Sequence, residues 1–481
     1  MARVAQRPRV ETRPRDVGHV GAGPRADVRR HAAVRRPPSP SGLPLVGNAL
    51  QFGRDPLGFV RGVQRAYGDV AIVHMGRERA MVLFFRPEHV RYILVDGARL
   101  FNAGQGRDVM RQFLGEGLLT TDGAFHRQQR RLVQPAFHKK RVEAYAHIMV
   151  DYTRELLDEW TPGAEVDVAR ALQELTLRIV VRALFDLDLR TERGDLSSAF
   201  TAVIEGQNPT LRRLLPFELP SPARDRALAG AARLDAFVYG LIAQRRAEGR
   251  DTGDVLSMLL LARDEEDGAG LTDRQVRDET MTLIAAGHET TANALAWTFY
   301  LLARNPGPRD RLLAELRDVL GGRPPAVDDL SRLPYLDWVV TESMRLYPPA
   351  WIVNRTAIEP FELGGYSFPA GTRVAVSQWV THRLPEFWGD ADTFRPERWD
   401  PATGQKPPQG AYFPFGAGPR ICIGMPFAQL EARLVLAALL QRYVPALVPG
   451  WPVRPFPRVT LRLKHGLRMR LVPSPAAPDP R

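Results

Sequence analysis

The chain has a single cysteine, Cys422, in a stretch whose composition suits a metal ligand, Phe415-Gly-Ala-Gly-Pro-Arg-Ile-Cys-Ile-Gly424. One cysteine excludes an internal disulfide and an all-cysteine metal site, but its thiolate can bind a metal that brings its remaining ligands. Gly416 and Gly418 let the backbone approach a flat ligand closely, and Arg420 offers a cation to a carboxylate on it. A lone cysteine is usually a small buried apolar residue, so the flanking pattern carries the prediction.

A second group of polar residues interrupts an apolar helical pattern, at Ala285-Ala-Gly-His-Glu-Thr-Thr-Ala-Asn293. Glu289 and Thr290 are costly in such a helix unless they are used. Thr290 can donate a hydrogen bond to the Ala286 carbonyl, which we expect to open the helix, and Gly287 removes side-chain bulk nearby. A hydroxyl beside a carboxylate is typical of proton delivery. The His-Glu pair alone would suggest a zinc protease, but the second histidine is missing at position 292.

Both patterns resemble motifs of the cytochrome P450 family. Phe-x-x-Gly-x-Arg-x-Cys-x-Gly matches the family's haem-binding signature without a mismatch, and Ala-Gly-x-Glu-Thr-Thr matches its central helix. Two further motifs follow in the family's order, Glu342-Ser-Met-Arg345 and Phe394-Arg-Pro-Glu-Arg-Trp399. The resemblance covers about residues 38–470. It implies a mainly α fold with small peripheral β-sheets, forming a single large domain that binds haem b (iron protoporphyrin IX).

The resemblance also implies a role for each matching residue. Cys422 would be the axial ligand of the iron, and Glu289 and Thr290 would supply protons. Contacts to the haem would come from Phe415, Gly424, His126, Arg130, Arg355 and Arg420. A buried ion cluster behind the haem would consist of Glu342, Arg345 and Arg398. From spacing alone, residues 342 and 345 are no more than an ordinary helical ion pair, and residues 126 and 130 no more than a solvated helix face.

The function implied by the resemblance is that of a haem-thiolate monooxygenase, which inserts one atom of O₂ into an apolar organic substrate. Because no flavin or iron–sulfur domain is fused, a separate ferredoxin or flavodoxin with its NAD(P)H-dependent reductase would supply electrons. Candidate pocket residues suggest a fatty acid or a terpenoid: Phe113, Leu118, Ile284, Ala285, Ala350 and Ile352. Two alternatives are a haem-thiolate peroxygenase or isomerase and a non-enzymatic haem sensor. The intact Glu-Thr pair argues against both.

A basic stretch supplies a candidate surface for the electron donor. It contains Arg127, Arg131, Lys139, Lys140 and Arg141. In the resembling family this region lies on the face nearest the cysteine loop. Its charges therefore either form an ordinary solvated face or attract an acidic protein partner.

The net charge of +12 is concentrated at the amino terminus. Residues 1–36 contain ten arginines and three acidic residues, which leaves +5 for the other 445 residues. This segment is poor in large apolar residues, so we predict a disordered extension ahead of one haem domain, residues 37–481. It could be a solvated extension, upstream sequence included by a misassigned start, a binder of acidic surfaces or a targeting segment. It lacks the apolar core of an export signal, and no apolar run reaches membrane-spanning length. We therefore predict a cytoplasmic protein without a membrane span and expect no nucleic-acid partner.

The elements that must position these residues are mostly helical. The longest predicted helix starts at Asp273, after a capping box formed by Thr272 and Gln275, and ends near Asn305 before a proline. Alternating residues predict a hairpin from Val70–His74 and Ala80–Phe84, with its turn around Gly76-Arg77. Other helical patterns occur at 86–96, 139–160, 167–185 and 227–248. Strand patterns occur near 350–357, 361–368, 374–376 and 459–471.

Overall fold

The computed structural model of the chain describes residues 35–76, 80–104, 108–189, 196–205, 221–249, 251–263, 268–404 and 406–475. The chain divides into a unit Met1–Arg35 and a unit Arg36–Arg481, and the account below concerns the second. The predicted disorder of residues 1–36 falls almost wholly outside the described residues, as does Arg77 in the first hairpin turn. Both remain predictions. Among the described residues, no helix combines the length and apolarity needed to cross a membrane.

Helices dominate the described part of the chain, which confirms the predicted fold class. Their bounds are α1 Ala49–Arg54, α2 Pro56–Tyr67, α3 Pro87–Arg91, α4 Asp108–Leu114, α5 Gly123–Val133, α6 Lys139–Ala144, α7 Ala146–Glu159, α8 Val168–Phe185, α9 Leu196–Glu205, α10 Pro222–Glu248, α11 Val255–Leu261, α12 Asp273–Arg304, α13 Pro306–Leu320, α14 Pro334–Leu346, α15 Gln378–Thr381, α16 Pro385–Trp388 and α17 Met425–Arg442.

The strands form small sheets around the helices. Their bounds are β1 Val70–His74, β2 Ala80–Phe84, β3 Phe101–Asn102, β4 Glu165–Asp167, β5 Val353–Ala357, β6 Phe361–Leu363, β7 Tyr366–Phe368, β8 Arg373–Val376, β9 Tyr443–Leu447, β10 Pro455–Pro457, β11 Leu461–Leu463 and β12 Arg468–Pro473. The largest described sheet has the order β1-β2-β8-β5-β3, with β2 and β8 parallel. A second has the order β4-β12-β9, and β6-β7 and β10-β11 are hairpins. The predicted first hairpin is confirmed, with Val70 opposite Phe84.

The central helix α12 has the predicted start and end. Thr272 caps it, and Gln275 completes the capping box. Its 32 residues span about 48 Å, and most of its side chains are buried. Trp297 is fully buried, stacks on Tyr347 with ring centroids 4.0 Å apart, and donates its indole N–H to the Leu461 carbonyl at 2.9 Å. A helix buried around most of its circumference becomes the axis around which the other elements pack.

Helix α8 lies close to the middle of α12, and Gly287 makes that approach possible. A Cβ atom at Gly287 would lie 2.7 Å from Val180 Cγ2, closer than real carbon atoms approach. One turn along, Thr176 Oγ1 donates to the His288 carbonyl at 2.9 Å. Gly287 is therefore needed for helix packing, whereas the sequence had suggested that it only makes room within a ligand cavity.

Two helical predictions differ from the structure in detail. Residues 139–160 form two helices, α6 and α7, with Tyr145 between them. The Tyr145 N–H bonds three residues back to the Val142 carbonyl at 3.1 Å, and its ring packs on Phe427. This tertiary contact and tightened turn interrupt a pattern that looks continuous in the sequence. Residues 86–96 form α3 followed by a π-turn, Tyr92–Asp96.

A buried ion cluster joins α14 to the segment Pro396–Trp399. Both Glu342 and Arg345 are completely buried, and Arg345 Nη2 donates to Glu342 Oε1 at 2.7 Å. Arg398 Nε reaches the same oxygen at 3.1 Å, and Trp399 Nε1 donates to Oε2 at 2.9 Å. The three residues expected to form the cluster are thus in contact. One carboxylate accepts hydrogen bonds from two guanidinium groups and an indole.

The cluster is connected to the cysteine loop through His382. Arg345 Nη1 donates to the His382 carbonyl at 2.8 Å, and His382 Nε2 accepts the Phe413 N–H at 3.0 Å. Burial, followed by the charges of Arg345 and Arg383, lowers the pKa of His382 well below its ordinary value. The neutral imidazole can therefore accept that hydrogen bond. Phe413 in turn accepts the Gly416 N–H at 2.9 Å, inside the loop.

We predict that Glu342→Gln destabilises the fold strongly, because it leaves two buried guanidinium groups without their anion. The expected loss in free energy of unfolding is about 3–5 kcal/mol, measured by urea denaturation of the holoenzyme. Asp337→Asn is the matched control on the same helix, since Asp337 forms an exposed pair with Arg433 at 3.4 Å. Its loss should be below about 1 kcal/mol. Equal losses in the two variants would contradict a structural role for the cluster.

Candidate active site

The cysteine loop is shaped by two glycines. Gly416 has a φ of +72°, in the left-handed region that glycine occupies readily. Gly418 also has a positive φ, and a Cβ there would lie 1.9 Å from the Leu94 carbonyl oxygen. The Cys422 N–H closes the loop onto the Phe415 carbonyl at 2.9 Å. These glycines are required by the loop's own backbone and by its contact with the π-turn. A Cβ at Gly424, by contrast, would meet nothing closer than 3.9 Å.

The Cys422 thiol combines surface accessibility with a densely packed surrounding. Its side chain is exposed, yet burial among protein atoms raises the pKa of the thiol. Both hold for a side chain at the bottom of a recess. The N–H groups of Gly424 and Met425 and the charge of Arg130 lower this pKa in part. The sequence had suggested that these groups would suffice to stabilise a thiolate, but burial outweighs them. A metal ion at the sulfur would supply the missing positive charge, so the residues fit a metal-bearing group.

Three arginines lie beside the loop with few acids to balance them. Arg355 is 7% exposed, and burial together with the Arg420 charge lowers its pKa to about 10. Arg420 donates to Asp122 Oδ1 at 3.0 Å, and Arg130 donates to the Ile421 carbonyl at 2.9 Å. Burial also lowers the pKa of Arg420 and of Arg130. Cations buried in this way favour a ligand that carries carboxylates, as haem does.

His126 lies on the same helix as Arg130, one turn earlier. It is 6% exposed, and α5 also carries the buried Gln129 and Val133. The helix therefore presents a buried face that includes His126 and brings Arg130 to the residue preceding Cys422. A merely solvated helix face, the ordinary expectation for such a pair, is not what the structure contains.

The middle of α12 offers accessible backbone inside a buried helix. Ala286 is exposed and Thr290 half-buried, although residues 281–284 and 291–299 are buried. Thr290 Oγ1 donates to the Ala286 carbonyl at 2.8 Å, which confirms the predicted bond. The helix nevertheless remains continuous from Asp273 to Arg304, so the expected opening is absent. The threonine bond is accommodated within regular helix geometry.

Glu289 is held by residues that the sequence had not singled out. It is 4% exposed, and its Oε1 accepts a hydrogen bond from Thr460 Oγ1 at 2.5 Å. The same oxygen accepts from Arg462 Nε in an ion pair. Arg462 lies on β11 and Thr460 directly before it, about 170 positions from Glu289 in the chain. Only the strand pattern near residues 459–471 was visible in the sequence, and it gives no partner.

The proposed substrate residues fall into two groups. Phe113, Leu118 and Ile284 are buried in the main core, while Ala285, Ala350 and Ile352 are half-buried. Residues 115–118 rest on α12, since a Cβ at Gly117 would lie 2.3 Å from Thr282 Oγ1.

A further buried carboxyl on α12, Glu279, was not predicted. Burial raises the pKa of Glu279 to about 7, against the opposing effect of the Leu118 N–H. Within the described residues, neither of its carboxyl oxygens has a hydrogen-bond partner at ordinary geometry. This polar group therefore lies under the loop that carries the apolar candidate Leu118.

Comparisons with known proteins agree with this geometry. The family model "Cytochrome P450" matches residues 37–465. The chain is 39% identical to cyclooctatin synthase and 37% identical to cyclooctat-9-en-7-ol 5-monooxygenase, both of Streptomyces melanosporofaciens. These matches cover 91% and 95% of this chain and 95% and 99% of the relatives. It is 36% identical to pentalenene oxygenase of Streptomyces avermitilis, over 90% of this chain and 96% of that one.

Solved structures show the same relationship. The heme domain of cytochrome P450DA superposes with a TM-score of 0.84 at 27% identity, over 92% of this chain and 99% of that one. A retinoic acid-bound cyanobacterial CYP120A1 gives 0.83 at 28% identity, over 92% of this chain and all of the other. With the lone thiol, the buried arginines and the Glu-Thr pair in place, the chain belongs to the cytochrome P450 family and is a haem-thiolate monooxygenase.

Proposed function

We propose that the enzyme oxygenates a terpenoid. The observation that carries this proposal is the identity of 36–39%, over nine-tenths of the chain, to three oxygenases of terpenoids. Apolar side chains at Leu118, Ile284 and Ile352 are compatible with such a substrate. The sequence left a fatty acid and a terpenoid open, and the relatives favour the terpenoid. We propose the six predicted residues as its contacts: Phe113, Leu118, Ile284, Ala285, Ala350 and Ile352.

We propose haem b as the cofactor, with Cys422 as its axial ligand. The haem iron, when bound, supplies oxygen activation and electron transfer. Phe415 and Gly424 flank the thiol, and the half-buried Phe415 packs against the main core. The buried cations of Arg355, Arg420 and Arg130 suit the acidic edge of the group, and His126 completes this set. Neutralising buried cations with carboxylates reduces their desolvation cost.

We propose that Thr290 and Glu289 deliver protons. The Thr290 hydroxyl donates to Ala286, which leaves its lone pairs to accept a proton from one side while it passes its own to the other. Glu289, the adjacent acid, takes protons from water and passes them on. Both residues lie next to the accessible part of α12, where a small ligand could be reached.

We propose an acidic ferredoxin or flavodoxin, reduced by an NAD(P)H-dependent reductase, as electron donor. Its docking surface would be the exposed Lys139 and Lys140 with their neighbours. Phe137, two residues before Lys139, is the atom group nearest Gly424 of the cysteine loop apart from Cys422 itself. The basic stretch thus follows directly on a contact with that loop. A cytoplasmic location remains a prediction.

The activity is tested by isotope incorporation. The holoenzyme, a ferredoxin–reductase pair and NADPH are supplied with ¹⁸O₂ and a panel of cyclic terpenes, terpene alcohols and fatty acids, and products are analysed by mass spectrometry. We expect one ¹⁸O atom in the product of a terpenoid, together with a substrate-induced shift in haem absorption. Label that enters only from H₂¹⁸O would contradict monooxygenation. Turnover of fatty acids alone would contradict the substrate class.

The docking surface is tested by salt and charge reversal. We predict that haem reduction by an acidic ferredoxin slows steeply with added salt, because a Debye length of about 8 Å at physiological ionic strength screens long-range attraction. Lys140→Glu should lower the reduction rate at low salt and leave terpenoid affinity unchanged, measured by stopped-flow absorption.

The matched control is Lys464→Glu, which reverses an exposed lysine on the β11–β12 connection and should leave the rate unchanged. Deletion of residues 1–34 should also change little. Loss of the salt dependence in that deletion would place the docking surface on the arginine-rich extension instead.

A further inference from the structure

The C-terminal hairpin β10-β11 approaches the proposed proton-delivery residue closely. Thr460 and Arg462 both donate to the same oxygen of Glu289, Oε1. Glu289 and Thr460 are buried, and the Arg462 side chain is 14% exposed. Within the described residues, Oε2 accepts no hydrogen bond. One oxygen of the carboxylate is therefore anchored by a charge and a hydroxyl, and the other is available.

The anchor itself is fixed to α12 and to the segment before β5. Asn293, one turn after Glu289, donates to Thr460 Oγ1 at 3.2 Å. Trp297, a further turn along, donates to the Leu461 carbonyl at 2.9 Å, and the Leu461 N–H bonds to the Pro349 carbonyl at 2.9 Å. The hairpin therefore has little freedom to move relative to the helix. Its bond to Pro349 also links it to the proposed substrate residue Ala350.

We propose that Arg462 is a positioning residue for Glu289. It anchors Oε1 on the hairpin so that Oε2 is the oxygen that exchanges protons with water and with the proton path. This inference rests on the proposed role of Glu289 in proton delivery. Arg462 does not itself donate a proton, and it acts only through the carboxylate that it holds.

The charges around Glu289 give this arrangement a measurable signature. On α12 the neighbouring ionisable side chain is His288, whose pKa is lowered chiefly by burial. On the hairpin the cations are Arg462 and the exposed Arg458, whose charges repel each other. Removal of Arg462 therefore leaves a buried carboxylate whose remaining anchor is the neutral Thr460 hydroxyl. Such a group takes up a proton, because burial disfavours the charged form.

The test compares Arg462→Gln with wild type in the holoenzyme at neutral pH. Infrared spectroscopy with ¹³C-labelled glutamate should show a protonated carboxyl band in Arg462→Gln, and the band should be absent from wild type and from Arg462→Gln/Glu289→Gln. In turnover, Arg462→Gln should divert several-fold more NADPH to peroxide, with little change in terpenoid affinity. Arg462→Lys, which keeps the charge without the planar fork, should lie between the two.

Arg458→Gln is the matched control, since it removes an exposed charge from the same hairpin and should behave like wild type in both measurements. In the Glu289→Gln background, Arg462→Gln should cause no further loss of product yield. Absence of the new infrared band, or an unchanged product yield in Arg462→Gln, would overturn the proposal. If Glu289→Gln alone couples NADPH to product normally, proton delivery by Glu289 is wrong, while the infrared band still reports whether Arg462 anchors it.

Discussion

The buried carboxylate of Glu342 is the constraint on which the position of the cysteine loop depends. Its two oxygens accept hydrogen bonds from Arg345, Arg398 and Trp399, and Arg345 continues the network to His382. Because a buried charge without its partner is costly, these bonds can form only when α14 and the Pro396–Trp399 segment are correctly docked. The loop that begins beyond Phe413 is attached to this network, so cluster and thiol are positioned together.

The active site forms where that loop faces the middle of α12, and neither element completes it alone. The protein surroundings raise the pKa of the Cys422 thiol, and they bury Arg355 with little compensating charge. Both conditions are unfavourable in the protein by itself. A ligand with a metal cation at its centre and carboxylates at its edge relieves both. The chain thus stores, in residues of opposite requirement, a preference for haem.

Local patterns and long motifs made much of this predictable. The capping box at Thr272 and the bond from Thr290 to Ala286 depend on residues within one turn of each other, so their sequence spacing is sufficient. The contact between Glu342 and Arg398 was accessible only through the family resemblance, because 56 residues separate them. The clasp of Arg462 on Glu289 and the fit of Gly287 against Val180 were not accessible. Each depends on how closely two distant segments approach, and no local pattern encodes that distance.

The central claim is that Cys422 ligates the haem iron as a thiolate, and the absorption spectrum of the reduced carbon monoxide complex tests it most directly. The wild-type protein should show the strongly red-shifted Soret band of thiolate-ligated haem. Cys422→His should move that band to the position typical of histidine-ligated haem while α12 and the ion cluster keep the protein folded. A Soret band that stays unchanged in Cys422→His would contradict the account.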